Sequence, residues 1–341
     1  MCDIIVENAV ESSTRACCTD YHTTTYWPHM TFVVNIIGAG KLGQTLGRLV
    51  VKHNLAKIAG IHNRSQHSAM AAIQFIGDGE YCPEIKGLPP ADITFITTPD
   101  DHLAETSLQI ARSGHIKPGS IFIHCSGILT SEVISAVKLK DALVMSIHPM
   151  RSFANPALSV ENFPGTYCAT EGDRDALKII EPFFESIGSI NFQIMKDKKP
   201  LYHAAGVFAS NYLVTLTQEA INCLIAANVE KKMALQMMIH LMKGTLSNLE
   251  KSMSPLEALT GPIERGDLAT IKKHLSSLPS DKQRLLYSVM GKATIELTSH
   301  DVTTKQKLDT VLSSAYMLAR ELITDSRSSI TSVIGKKPNP D

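Results

Sequence analysis

Short apolar runs alternate with amphipathic stretches over the first half of the chain. Thr31–Ile37 (TFVVNII) is β-branched and apolar with little polar alternation, which predicts a buried parallel strand. The glycine-rich GAGKLG follows, and Gln44–His53 then predicts a helix. Ile58–His62, Ile93–Thr97, Ser120–His124 and Ala142–Ile147 predict further strands, with a helix over 101–113. Gly165–Ala169, a helix at 174–187 and Asn191–Met195 complete this half. Strands alternating with helices predict a doubly wound α/β sheet of the Rossmann type.

The second half is helical in pattern. Lys-Asp-Lys-Lys at 196–199 is a charged break, and Pro200 suits the first position of a helix. From Pro200 to Ala227 the only formally charged side chain is Glu219. Such a helix is expected to be buried on most sides. A membrane span is the rival reading, against which stand His203, Ser210, Asn211, Gln218 and Glu219 within the run. Helices are expected over 230–251, 267–277, 281–297 and 304–324. The chain thus divides into an extension at 1–29, an α/β domain at 30–196, an all-helical domain at 197–325 and a frayed tail at 326–341. The Thr-, Ser- and Cys-rich extension has two readings: a real, disordered arm, or an upstream start with Met30 as the native first residue. The second is favoured, because a glycine-loop domain usually opens on its first strand.

Lys plus Arg is 33 and Asp plus Glu is 33, so no global positive field draws in phosphates, and a dedicated nucleic-acid binder is not expected. Hydrophobic residues at 44% supply a core for each domain and exclude a mostly disordered chain. The seven cysteines form no C-x-x-C pair, which fits neither a disulfide framework nor a zinc site. No metal is expected, and a reducing cytoplasm is the expected compartment. No cysteine has the positive surroundings of a nucleophile.

Gly38-Ala-Gly40-Lys41-Leu42-Gly43 follows a strand and opens a helix, the setting in which G-x-G-x-x-G points to a dinucleotide. Gly38 permits the turn, Gly40 lets a pyrophosphate approach the backbone, and Gly43 lets helix and strand pack closely. The helix start adds free N–H groups and partial positive charge. A ligand-free glycine turn is the plainer alternative. An NAD site carries a carboxylate at the end of the second strand; here the chain reads His62-Asn63-Arg64-Ser65. Arg64 can clamp a 2′-phosphate, with Asn63 or Ser65 adding hydrogen bonds, so NADP(H) is expected over NAD(H). A solvated surface arginine is the alternative for Arg64. Thr97, Thr98 and Pro99, beyond the carboxyl end of a later strand, are expected to wall the cofactor.

On the substrate side, His203 and Ser210 lie seven residues apart and share a helical face, with Asn211 beside them. Such a stripe either faces a ligand or makes hydrogen bonds between helices. As a ligand face, His203 and Asn211 would bind or protonate a carbonyl, with Ser126 as a further orienting group. Arg265, near Thr260 in the loop TGPIERGD, and Arg151 could each grip a carboxylate; a structural ion pair is nearly as good a reading of Arg265. Asp267 is a natural N-cap for a helix starting at Leu268. His148 suits a strand-end structural role as well as a substrate-binding one.

VNIIGAGKLG, HNRS, HCSG, HPMRSF, YHAAGVFASNY and ALTGPIERGD, in that order, resemble a bacterial two-domain family over about 31–325. That family joins an NADP-type Rossmann domain to an all-helical C-terminal domain of unknown function. Its plan is similar to ketopantoate reductase, pyrroline-5-carboxylate reductase and 6-phosphogluconate dehydrogenase. The resemblance implies an NADPH-dependent reductase of a small 2-oxo acid carboxylate, with ketopantoate first, and a homodimer. An imine reductase, a 3-hydroxy-acid dehydrogenase and a non-catalytic NADP(H) sensor remain open. The sequence departs from ketopantoate reductases at the start of the interdomain helix. His203 and Val207 stand where the family has Lys and Asn, while Lys198 and Lys199 precede the helix.

Overall fold

The computed structural model describes residues 32–114 and 116–334, so the expectations for 1–29 lie outside the described residues. Two compact units divide between Tyr202 and His203. The first unit holds strands β1 (Phe32–Ile37), β2 (Ala56–His62), β3 (Glu80–Tyr81), β4 (Ile93–Ile96), β5 (Ile121–His124), β6 (Leu143–Pro149), β7 (Tyr167–Gly172) and β8 (Ile190–Gln193). They form one sheet in the order β3-β2-β1-β4-β5-β6-β7-β8. Every pairing is parallel except β6 with β7. The order reverses between β1 and β4, which opens a crevice beyond the carboxyl ends of those strands.

Helices α1 (Lys41–Lys52), α2 (Gln66–Ile76), α3 (Leu103–Ser113), α4 (Pro156–Glu161) and α5 (Arg174–Glu185) cover the sheet. Burial of the strands is nearly continuous: β4 and β5 are buried at every position, as sheets covered on both faces require. One face packs Leu46, Leu49, Ile76 and Phe184 over β1 and β4. The other packs Leu103, Ile110, Ile134 and Val137. Buried Asn35 reconciles a register shift between β1 and β2: its Oδ1 accepts the Gly60 N–H at 2.9 Å, and its Nδ2 donates to Pro89 O at 2.7 Å.

The apolar pattern did not reveal α2, β3, α4 or a 3₁₀ stretch at Ser131–Lys140. The ends of α2 carry its explanation. Ser65 accepts the Ser68 N–H at the N-cap, and Gly77 closes the helix at φ +86.

The second unit contains α7 (Tyr212–Ala226), α8 (Lys231–Lys251), α9 (Pro255–Ala258), α10 (Leu268–Ser277), α11 (Asp281–Ile295) and α12 (Val302–Ile334). It is preceded by α6 (Lys199–Gly206), which runs across the division. Ile263, Ile271, Leu275, Ile295, Leu308 and Leu312 form its core. Asp267 caps α10, accepting the Thr270 N–H at 3.0 Å. Three differences from the sequence pattern stand out. The expected single helix at 200–227 is interrupted by a π turn at Val207–Asn211. That stretch is not buried on most sides: in α7 only Ile221 is buried, and in α8 only Ala234. The last helix passes the expected end at 324 and continues to Ile334. No helix among the described residues is long and apolar enough to cross a membrane.

Candidate functional site

The chain leaves β1 at Gly38 with φ +87. A Cβ there would lie 2.8 Å from the Thr98 backbone nitrogen, so the turn needs glycine on two counts. A Cβ at Gly43 would lie 2.5 Å from Thr97 Oγ1, so this glycine sets how closely α1 approaches the sheet. Gly40 is different: a Cβ there would meet only Gly38 O at 3.9 Å and would otherwise project into open space. With Gly40 as the N-cap of α1 and no side chain capping it, the first-turn N–H groups are open to an outside acceptor.

Neighbouring side chains hold this loop. The Ala39 N–H donates to Asn63 Oδ1 at 2.6 Å, and Asn63 Nδ2 donates to Ser68 Oγ at 3.3 Å. Asn63 therefore fastens the glycine loop, rather than offering its carboxamide to a phosphate. Thr97 Oγ1 donates to Gly38 O at 2.8 Å. Ser65 caps α2, and Arg64 beside it is exposed. Thr98 Oγ1 is buried with no hydrogen-bond partner in the structure. All the residues expected at the cofactor except Gly43 line one groove of about 950 Å³, including Lys41, Leu42 and Pro99. Gln44, His102, Glu105, Gln109 and Phe153 also line it. No spacing rule in one dimension selects them, because they reach the groove from three separate segments.

The ends of the later strands are arranged differently from expectation. Ser126 Oγ donates to Asp100 Oδ2 at 2.8 Å and accepts from the Ile128 and Leu129 N–H groups at 3.2 and 3.0 Å. A hydroxyl has one proton, so Ser126 has none left for a substrate carbonyl and instead shapes its own loop. Arg151 is also turned inward, donating to Asn162 O and, at 3.5 Å, to Thr166 Oγ1. That makes it a loop tie rather than a carboxylate clamp. His148 packs edge-on against Tyr202, with Nδ1 and the tyrosine hydroxyl 3.0 Å apart. Burial pushes the Cys125 and Cys168 thiols up to about 12, so neither offers a thiolate.

Behind these strand ends lies a buried polar cluster absent from the sequence expectations. Lys199, 1% exposed, donates from Nζ to Ser146 Oγ at 2.5 Å and to Glu171 Oε1 at 3.4 Å. Glu171 also accepts from the Ser131 N–H and Oγ at 2.7 and 2.8 Å. Burial pushes the Lys199 ammonium below its usual pKa, and Glu171 pulls it back up. His124 is wholly buried and accepts the Ser126 N–H on Nδ1 at 3.1 Å. Burial, and then the Lys199 charge, lower its pKa to about 3, so the ring is neutral. Lys199 is thus a structural cation, held too deep to meet a substrate. Its partners lie 28 and 53 residues away, out of reach of a local motif.

In the second unit His203 is half-buried on α6, while Ser210 and Asn211 are exposed in the π turn. Arg265 and Thr260 are exposed; Thr260 also borders an apolar cavity of about 420 Å³ lined by Cys223, Gln283, Tyr287 and Met290.

Residues 22–149 match the model of a Rossmann-like domain, and residues 166–294 match a domain of unknown function, DUF2520. The chain joins a Rossmann-like domain to a DUF2520 domain. The DUF2520 match begins within the sheet, just before β7, and ends near the close of α11. The structure is similar to that of a Bacteroides fragilis protein described as an NADP oxidoreductase, with TM-score 0.65 and 19% identity, covering 78% of this chain and 98% of that one. A Thermotoga maritima protein matches with TM-score 0.55 and 24% identity over 84% and 99% of the two chains. The pyrroline carboxylate reductase of Plasmodium falciparum, solved with NADP bound, matches with TM-score 0.52 and 13% identity over 84% and 98%. Identities this low speak to the fold. No curated protein matches the chain in sequence.

Proposed function

We propose that this protein is an NADPH-dependent reductase of a small 2-oxo acid, with ketopantoate as the leading substrate and pantoate as its product. The observation that carries the reading is the groove itself. It combines an open glycine at the start of α1, an orphaned buried hydroxyl at Thr98 and an exposed arginine at the end of β2. These features fit a dinucleotide: Gly40 and the first turn of α1 receive the pyrophosphate, and Arg64 with Ser65 receives the 2′-phosphate. NADPH supplies a hydride when bound. His203 holds the proton for the developing alkoxide, a task suited to an imidazole. Arg265 takes the carboxylate.

The fold shared with a pyrroline carboxylate reductase favours a second reading, reduction of a cyclic imine acid by the same parts. Both are tested by following NADPH absorbance with ketopantoate and with 1-pyrroline-5-carboxylate, using NADH as the control. Arg64→Ala is expected to raise KM for NADPH at least about tenfold and leave NADH unaffected, since a charge-assisted hydrogen bond contributes roughly 1.5–3 kcal/mol. Equal use of both cofactors by the wild-type protein would sink the 2′-phosphate assignment. Failure to turn over any 2-oxo or imino acid would sink the reductase reading.

The second unit supports a homodimer. Phe208, Val214, Met233, Leu241 and Leu246 are each at least half exposed on or beside helices that bury almost nothing within one chain. Apolar surface on that scale is removed from water by a second copy in the usual symmetric association. Sedimentation velocity is expected to give a dimer at micromolar concentration, and Leu241→Glu with Leu246→Glu a monomer. A wild-type monomer would contradict the proposal.

A further inference from the structure

The π turn at Val207–Asn211 changes which polar residue stands above His203. Two α-helical turns take about seven residues, which would place Ser210 over His203. A π turn closes on i→i+5 and uses one residue more than an α turn. With one such turn in the path, two turns take about eight residues, and the residue over His203 becomes Asn211. Ser210 is carried off that face. The sequence pattern, which aligns His203 with Ser210, is corrected by this one-residue change of register.

The turn has no packing explanation of its own. Residues 208–211 are all exposed, and a Cβ at Gly206, just before it, would meet nothing within 4 Å. A mid-helix glycine costs about 1 kcal/mol relative to alanine, and Ser and Asn are weak helix formers. A widened turn that buries nothing is a feature typical of functional sites.

Two turns separate the His203 and Asn211 backbones by about 11 Å. That is too far for both side chains to serve one oxygen, and suitable for two polar groups of one small substrate. We propose that Asn211 is a specificity-determining residue placed by the π turn, binding the second polar group of a substrate whose reacting carbon is served by His203. The proposal rests on the reductase reading. Its substrate class is therefore a short oxo or imino acid carrying a hydroxyl, carboxylate or amide a few bonds from the reducible carbon.

The test compares Ser210→Ala, Asn211→Ala and the exchange Ser210→Asn with Asn211→Ser, using whichever acid the wild-type protein reduces. Asn211→Ala is expected to raise substrate KM about tenfold with kcat within threefold. Ser210→Ala should leave both within twofold. The exchange keeps composition and polarity but puts the amide on the wrong face, so it should behave like Asn211→Ala. Unchanged NADPH affinity and circular dichroism in all variants separate these effects from unfolding. An exchange variant with wild-type KM, or a Ser210→Ala defect as large as that of Asn211→Ala, overturns the register argument and leaves the reductase reading intact. A wild-type protein that reduces no such acid overturns the reading, and the proposal with it.

Discussion

Replacing Lys199 with methionine is expected to destabilise the first unit by about 3–5 kcal/mol, the usual cost of removing one member of a buried ion pair. Lys199 and Glu171 are 1% and 4% exposed in their side chains. Methionine preserves the stem of the lysine, so the loss falls on the charge. The Glu171 carboxylate would keep its two bonds from Ser131 but would lose its buried counter-charge. Glu171→Gln should be costly in the same way, by leaving the Lys199 ammonium uncompensated. The double variant Lys199→Met with Glu171→Gln should recover much of the loss, because neither orphan charge remains. Hydrogen exchange of β6 and β7 peptides against urea reads the first unit separately, as two units need not unfold together. Additive single-variant losses, or a Lys199→Met cost below about 1 kcal/mol, would show that the pair is not coupled.

Gly38→Ala and Gly40→Ala are expected to separate stability from cofactor binding. At Gly38 a methyl group meets the Thr98 backbone at 2.8 Å and a φ of +87 disfavours any side chain. Backbone cannot yield as a side-chain tip can, so the loop must move. The variant should lose thermal stability and bind NADPH about 100-fold more weakly, equivalent to about 3 kcal/mol. At Gly40 the methyl group enters open space, so stability should hold while NADPH affinity falls by a similar factor. Titration of NADPH fluorescence together with a melting curve for each variant reads both quantities. A Gly40→Ala protein that binds NADPH normally would remove the pyrophosphate from the loop. A Gly38→Ala protein that melts at the wild-type temperature would contradict the steric argument.

Much of the first unit was legible in the sequence because its signals are local. Buried parallel strands read as β-branched runs, and each strand end falls close to its expected place. The glycine loop was legible for the same reason: turn, open approach and close packing each demand glycine at a set spacing. α2 was less visible because QHSAMAAIQFI has no clean apolar stripe, and its start rests on one serine cap.

The sequence by itself determined the doubly wound sheet, the glycine loop and the absence of a carboxylate at the end of β2, since each depends on residues within about ten positions of one another. Only the tertiary structure decided how polar groups were spent. Ser126 and Arg151 look available in one dimension and are consumed by Asp100, Asn162 and Thr166 in three. Lys199 looks like one more residue of a charged break and is a buried cation, because folding brings Ser146 and Glu171 to it. Asn211 displaces Ser210 over His203 through a single added residue in one helical turn. A side chain's type is local, but its hydrogen-bond partners and its helical phase are set by the chain that packs around it, and those decide what chemistry it has left to offer.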